Sequence, residues 1–540
     1  MTQTTSVADV IAQVCRRHGV ERVFGIPGGG SSLDLIRAFS DIGVPFVLAR
    51  TENAAAIMAA ADAEASGAIG VVIASRGPGT ASAANGFAHA HLDRSPMLLI
   101  TDGWTPHQKA FDTHQVFDQQ ALMQPLMRAA SRLESDSVEA ELETMITRMR
   151  TAPWGPGYIE LTAENARRQV LPQVQAPVAA MAARTAPVPV CPPRLQELLA
   201  GARKPVIVLG LEARSPQAAQ LVRQLSEKWR CPVVPTYKAK GFVPDTFDHV
   251  VGLFTGGAAE QDCIGAADLI VLCGLDPVEL IGRAWPYTVP VIDIAITRHP
   301  VHYTKMAASL YGELEASLAT LHGIRSESDW QPDDFRIMRA RVEARLAYKG
   351  AGTDLTPEHV VRAAFDAGAP LNAASTVDAG AHMFSAMACW KTQRSGETLI
   401  SNGLATMAFA LPAGIAIALR SPERPVIAFT GDGGLMMCAG ELSTAAQYQP
   451  WLCIVVFNDA QLSLIDIKQQ ARELARNGVQ WPRPDFAAIA RGFGLSAWSA
   501  STPDQLQDAL QAALATRGPT LIDVRVDPSG YLAQSVALRG

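Results

Sequence analysis

The feature that most constrains this chain is a repeated alternation. Short runs made almost wholly of apolar residues stand between Ala-rich helical stretches. Val71-Val-Ile-Ala, Met97-Leu-Leu-Ile, Pro205-Val-Ile-Val-Leu, Leu269-Ile-Val-Leu-Cys, Val426-Ile-Ala-Phe and Leu452-Cys-Ile-Val-Val-Phe are such runs. A strand with no polar face has to be covered on both sides, and strands alternating with helices at this spacing imply parallel sheets sandwiched between helices. One hydrophobic core stops growing near about 250–300 residues, so 540 residues require several. With 48% hydrophobic and 18% charged residues, burial can offset the entropy of ordering the chain. The expected fold class is α/β, with three doubly wound parallel-sheet domains. Their expected bounds are 1–170, 194–325 and 357–540, joined by a Pro-rich linker over 171–193 and a polar, charge-rich linker over 326–356.

Local signals agree with this division. Ser6 stands three residues before Asp9, the pattern of a capping box, and Val7, Val10, Ile11, Val14 and Cys15 fall on one face of the helix that follows. Gly19 ends that helix, and Val23-Phe-Gly-Ile reads as a buried strand running into Pro27-Gly-Gly-Gly. Pro172, Pro177, Pro187, Pro189, Pro192 and Pro193 mark the first linker as extended. The most apolar stretch, Gly403 to Leu419, is short for a membrane span and interrupted by Pro412, so a buried helix is expected there.

Several functions are disfavoured. Forty-six basic residues against 52 acidic ones leave a net charge of −6, without the basic excess that nucleic-acid and membrane-surface proteins use. None of the eight cysteines has CxxC spacing, so they read as buried thiols of a reducing compartment rather than zinc ligands or a redox pair. The opening Met1-Thr-Gln-Thr-Thr-Ser lacks the basic and apolar regions of a signal peptide, and a cytoplasmic location is expected.

The third domain carries the chemistry. One apolar strand ends in Gly431-Asp432-Gly433-Gly434 and the next in Asn458-Asp459-Ala460-Gln461. Ligands of open parallel sheets bind at the carboxyl ends of the strands. Glycines there let the backbone approach a phosphate, and carboxylate or amide oxygens suit magnesium, which usually shares its coordination with phosphate oxygens. The same loops also read as simple caps on the sheet. Two further clusters suggest a dinucleotide. Gly28-Gly-Gly30 lacks the third glycine of GxGxxG, and Gly77-Pro-Gly79 lacks the acidic residue expected about 20 positions on, so a nicotinamide dehydrogenase is a poorer reading.

Taken in order, the motifs resemble those of the thiamine-diphosphate enzymes, most closely the acetohydroxyacid (acetolactate) synthase-like branch. Gly431-Asp432-Gly433 with Asp459 is similar to their metal motif. Val23-Phe-Gly-Ile-Pro-Gly-Gly is similar to their N-terminal glycine loop, Arg50-Thr-Glu52-Asn-Ala-Ala to the glutamate motif, and Gly77-Pro-Gly-Thr to the turn after it. Asn402-Gly-Leu-Ala-Thr-Met-Ala-Phe-Ala-Leu-Pro412 is similar to the segment before the metal motif. The resemblance implies a pyrimidine-binding, a central Rossmann-like and a diphosphate-binding domain. It also implies a homodimer or homotetramer with active sites at the subunit interface.

It implies roles as well. Glu52 would hydrogen-bond the aminopyrimidine ring. Asp432 and Asp459 would bind Mg2+ through their side chains and Gln461 through its backbone carbonyl, with Asn458 as the alternative to Asp459. Gly380, His382, Gly433 and Gly434 would line the diphosphate, and Gly403, Ala405 and Met407 would support the cofactor, Met407 forcing its bent form. Gly29, Gly30, His114, Gln115, Leu464 and Lys468 would face the substrate. The carboxyl group at 52 would protonate the pyrimidine ring and so help unmask the cofactor's nucleophilic carbon. No protein nucleophile is then required, in keeping with the lack of a convincing Ser-His-Asp or Cys-His set.

The sequence departs from the branch at four places. Asp459 stands where the family commonly has Asn, and His114 where synthases carry Phe. Lys468 replaces a substrate-selecting Trp, and Gly274-Leu-Asp-Pro-Val-Glu replaces the arginine-bearing flavin segment, which weighs against FAD. The expected activity is decarboxylation of a 2-oxo acid with carboligation. The alternatives are a simple 2-oxo acid decarboxylase, an acyl-CoA lyase or decarboxylase of the same family, and a catalytically silent cofactor-binding homologue.

Overall fold

The computed structural model describes residues 4–171, 189–280, 282, 284–324 and 327–539. A two-residue ribbon, β1 (Thr5–Ser6) with β8 (Gln169–Val170), ties the ends of the first unit together. Within that unit lie β2 (Val23–Gly25), β3 (Phe46–Leu48), β4 (Gly70–Ala74), β5 (Met97–Asp102), β6 (Ala129–Ser131) and β7 (Gly157–Leu161). They form one parallel sheet in the order β3-β2-β4-β5-β7-β6. The central unit holds β9 (Pro205–Leu209), β10 (Val233–Pro235), β11 (Leu269–Cys273), β12 (Val291–Ala295) and β13 (Ala308–Tyr311), parallel in the order β10-β9-β11-β12-β13. The third contains β14 (Ala374–Val377), β15 (Thr398–Ile400), β16 (Val426–Gly431), β17 (Leu452–Asn458), β18 (Ser496–Ala500) and β19 (Pro519–Arg525). Its parallel order is β15-β14-β16-β17-β19-β18. The expected three α/β sheets are therefore present, and the first and third repeat one strand order.

The apolar runs became strands because both faces are covered: every residue of β4, β9, β11 and β17 is buried. The capping box also forms, with Ser6 Oγ accepting from Asp9 N at 3.2 Å while the Asp9 carboxylate accepts from Ser6 N. Gly403 to Leu419 is only partly helix. The helix runs Ala410–Arg420, with Pro412 tolerated in its first turn, while the segment before it is a looped turn with Ala405 at φ 53° and Ala408 at φ 64°. That helix is buried against the Ala-rich helix Glu52–Ser66, so one core is shared by the first and third units. Small side chains make the approach possible. Across the next helix pair a Cβ on Gly86 would lie 2.5 Å from the Ala56 Cβ.

Of the Pro-rich linker expected over 171–193, residues 172–188 lie outside the described residues, and Pro193 opens the helix Pro193–Gly201. The stretch expected as the second linker carries a 15-residue helix, Pro332–Leu346. Phe335 and Met338 enter the central core, and Val342 and Leu346 enter the third. Its polar majority faces outward, which is why composition alone read it as linker. All eight cysteines are buried and none is in a disulfide. No helix among the described residues is long and apolar enough to cross a membrane.

Candidate active site

In the third sheet the chain leaves β14 toward β15 on one side and returns to β16 on the other. The crevice between the ends of β14 and β16 is the switch point where doubly wound sheets bind ligands. A cavity of about 330 Å³ opens there and extends past the end of β17. It gathers Gly380, His382, Ala405, Met407, Asp432, Gly433, Gly434, Asp459, Gln461, Leu464 and Lys468, eleven of the residues the motifs singled out.

Each is placed by its element. Asp432 and Asp459 follow the ends of neighbouring strands and are brought together by the sheet. Asp432 accepts from its neighbour Gly433 N at 2.7 Å and, across the gap, from Ala460 N at 2.6 Å. Ala460 turns through φ 59°, which carries Gln461 into the cavity. The Gln461 side chain donates to Ser463 Oγ and accepts from Arg476. Asp459 accepts from Ser463 Oγ. Burial, reinforced by the charge of Asp459, pushes the Asp432 carboxyl up to about 7; burial pushes Asp459 up to about 6. Two neighbouring carboxyls whose charged forms burial disfavours are a donor set suited to a divalent cation, whose charge would favour ionisation of both. Among the described residues no group of three His, Cys, Asp or Glu side chains gathers to hold a metal alone. The remaining ligands would be main-chain, phosphate or water oxygens, as Mg2+ prefers.

The other wall fits a diphosphate. Gly380 and Gly431 leave room for the His382 ring: a Cβ at either would stand 2.7 Å or 3.2 Å from it. That ring stacks on Phe457 at 5.1 Å, and its Nε2 is buried without a protein partner. Desolvation pushes His382 down to about 4, so it stays neutral and its unpaired nitrogen suits a polar ligand atom. Met407 sits between the two left-handed alanines, its Cε 3.3 Å from where a Cβ on Gly433 would be. Backbone strain of this kind persists only where the surroundings enforce it. Asp378, at the end of β14, does the enforcing: it accepts from Ala408 N, Phe409 N and Thr430 Oγ1, and burial pushes it up to about 6.

Some expected members lie elsewhere. Asn458 is not in the cavity, because its amide donates to Pro484 O and Asp523 Oδ1 in the sheet interior. Of the two candidate positions it is Asp459 that lines the cavity. Gly403 packs on the first unit, where a Cβ would strike Leu92 O at 2.4 Å, and so supports the turn without lining the cavity. Glu52, Gly29, Gly30, His114 and Gln115 lie in the first unit, in the segments that follow β3, β2 and β5. Glu52 begins its helix after the Thr51 cap and leans over Gly79, where an added Cβ would stand 3.0 Å from Glu52 Oε1. Gln115, at φ 63°, closes on Gly77. Gly30 lets the chain pass against buried Asp102, which accepts from Ser31 Oγ and Ser32 N. His114 is exposed. Within one chain none of these residues reaches the cavity of the third sheet. Asp378, Phe457, Ser463, Tyr531 and Arg539 went unnoticed in the sequence. Only Asp378, an acid directly after an apolar strand, carried a signal.

Family models agree with this architecture. The thiamine pyrophosphate (TPP) enzyme N-terminal TPP binding domain matches residues 5–122, the central domain 193–321, and the C-terminal TPP binding domain 378–524. The chain therefore belongs to the thiamine pyrophosphate enzyme family. Within that family it is acetolactate synthase-like. It is 26% identical to an acetolactate synthase of Bacillus subtilis (strain 168), over 97% of this chain and 93% of that one. It is 28% identical to a catabolic acetolactate synthase of Raoultella terrigena, over 96% and 95%. A probable 2-ketoarginine decarboxylase of Pseudomonas aeruginosa is 26% identical, over 97% and 94%.

Proposed function

We propose that the protein is a thiamine-diphosphate- and Mg2+-dependent enzyme that decarboxylates a 2-oxo acid and joins the retained fragment to a second carbonyl, as an acetolactate synthase does. The observation that carries this reading is the buried carboxyl pair, Asp432 and Asp459, beside Gly433, Gly434 and the unpartnered His382 nitrogen. When bound, thiamine diphosphate would supply a nucleophilic carbon for the substrate carbonyl and a sink for the electrons released with carbon dioxide. The residues of this chain bind, orient and move protons. Asp432, Asp459 and the Gln461 carbonyl hold Mg2+, and the glycines let main-chain N–H groups approach the diphosphate. Met407 props the cofactor. Glu52, contributed by the first unit of a second copy, places a proton on the pyrimidine ring. Leu464 and Lys468 face the substrate.

Exposed apolar side chains on both units support pairing of two copies. Leu33, Phe111, Phe117 and Leu122 are exposed in the first unit, and Met436, Met437 and Ile465 in the third. The test is incubation with thiamine diphosphate, Mg2+ and pyruvate, following carbon dioxide and acetolactate together. Both products are expected, each abolished by EDTA. Cofactor binding that is absent or indifferent to Mg2+ would refute the reading. A second reading, decarboxylation to a free aldehyde, is supported by Lys468 standing in the cavity, since a cation favours an anionic substrate over an apolar carbonyl acceptor. Carbon dioxide with aldehyde and no hydroxy ketone would establish it.

A further inference from the structure

One wall of the cavity comes from the helix Tyr531–Arg539, which packs across the helix Ser463–Ala471 that bears Leu464 and Lys468. It is fixed from both ends. Gln534 accepts from Ser385 Oγ and donates to Leu346 O, while Leu538 O accepts from Thr255 Oγ1 and Ala537 O from Ala259 N. Its last described residue, Arg539, lines the cavity with its guanidinium 5.0 Å over the Phe384 ring. Its Nε is buried without a hydrogen-bond partner, and no carboxylate among the described residues pairs with it.

Lys468 lines the same cavity, also without an ion pair among the described residues. The other formal charges on the cavity wall are Asp432 and Asp459, which the proposed Mg2+ occupies. A cation held by packing on an aromatic face, with no anion among the described residues, is a waiting half of a charge-assisted pair. Burial already pulls Arg539 below the usual guanidinium range, which an arriving anion would reverse.

We infer that Arg539 and Lys468 form a specificity subsite for a second anionic group, such as a carboxylate, at the far end of the 2-oxo acid. The inference rests on the proposed function in placing the reacting carbonyl in this cavity, and it narrows the substrate class to dianionic 2-oxo acids. Arg539, with its planar fork, gives the bidentate contact, and Lys468 contributes a mobile point charge.

The test uses the full chain with thiamine diphosphate and Mg2+. Calorimetry compares glutarate with pentanoate, ligands of equal length that differ by one carboxylate. Carbon dioxide release then compares 2-oxoglutarate with 2-oxopentanoate. Glutarate should bind about tenfold or more tightly, the size of one charge-assisted pair. Arg539→Gln and Lys468→Gln should each shrink that ratio, Arg539→Lys should retain part of it, and all should melt near the wild type. Equal affinity for glutarate and pentanoate would overturn the subsite. So would an Arg539→Gln variant that loses affinity for thiamine diphosphate but keeps the glutarate preference, because Arg539 would then serve the diphosphate. A glutarate preference that responds to the variants, in a protein releasing no carbon dioxide from either oxo acid, would uphold the subsite and count against the decarboxylase.

Discussion

At the scale of single residues, Asp432 and Asp459 have a consequence in solution. Burial raises both carboxyls, and the charge of Asp459 adds to the cost of ionising Asp432, so a cation between them would relieve both. Mg2+ together with thiamine diphosphate should therefore raise the melting temperature by several degrees, and EDTA should return it, as differential scanning fluorimetry would show. Asp459→Asn keeps an oxygen toward the metal while removing one charge. It should raise the melting temperature of the cofactor-free protein and weaken Mg2+ binding about tenfold, one charge-pair contact in a partly buried site. Asp432→Asn, which also disturbs the contacts to Gly433 N and Ala460 N, should weaken Mg2+ binding more. The position of Asp432 in the cavity was legible because a carboxylate between glycines at the end of an apolar strand lies where parallel sheets bind ligands, although the loop also read as a cap. Asp378 was harder to read. Its work is to accept three hydrogen bonds from a turn and a strand remote in sequence, and one sequence does not say which loops meet.

At the scale of elements, strands buried on both faces were visible as unbroken apolar runs, whereas β6 and β18, half exposed at sheet edges, were not. The segment 403–409 looked helical because it is apolar and Ala-rich. It is instead held open as a turn by Asp378, a tertiary contact that overrides propensity. The loops at the ends of β9 and β11 show the same logic where a dinucleotide would bind in a Rossmann sheet. Glu279 there accepts from Leu211 N and Asp276 N and is engaged by Thr236 Oγ1, while Glu212 accepts from Ile296 N and meets His299. The N–H groups of Leu211, Asp276 and Ile296 are committed to the chain's own carboxyls, and a Cβ on Gly210 would stand 2.4 Å from Leu275 Cα, so the turn is tightly closed. The purified protein should show no visible flavin absorbance, and added FAD should not change its melting temperature; a stoichiometric flavin would refute this.

Glu279 also gives these loops a pH response. Burial pushes its carboxyl up to about 8 from an ordinary 4.5. Its raised folded-state pKa means that the folded form holds the proton more tightly than the unfolded chain. The stability this contributes is complete below about 4.5 and is lost as pH rises through about 8. Glu279→Gln carries a fixed neutral group in the same place. Its melting temperature should gain on the wild type between pH 6 and pH 9, by the equivalent of about 2–4 kcal/mol at most. A constant difference across that range would mean that Glu279 is ionised in the fold throughout.

At the scale of the whole molecule, the repeated strand order of the first and third sheets gives each a switch point at the same topological position. The alanine-rich core that joins the two sheets leaves the two sets of residues apart in one chain: Glu52 stands over Gly79, and the carboxyl pair stands in the cavity of the third sheet. The proposed function joins the two, and on that reading each site would be assembled from two copies, as a twofold dimer would do twice over. Hybrids make this measurable. Glu52→Gln alone should bind thiamine diphosphate yet lose turnover by at least about a hundredfold, the usual contribution of a positioned proton donor. Asp432→Asn alone should fail through the metal. In a hybrid of the two variant chains, one site joins Glu52 of one chain to Asp432 of the other, and the second site carries both substitutions. Such hybrids, separated by two affinity tags after co-expression, should recover about half of the wild-type turnover per dimer, one sound site out of two. Were each site built within one chain, every site in the hybrid would carry one lesion, and turnover would stay at the level of the separate variants.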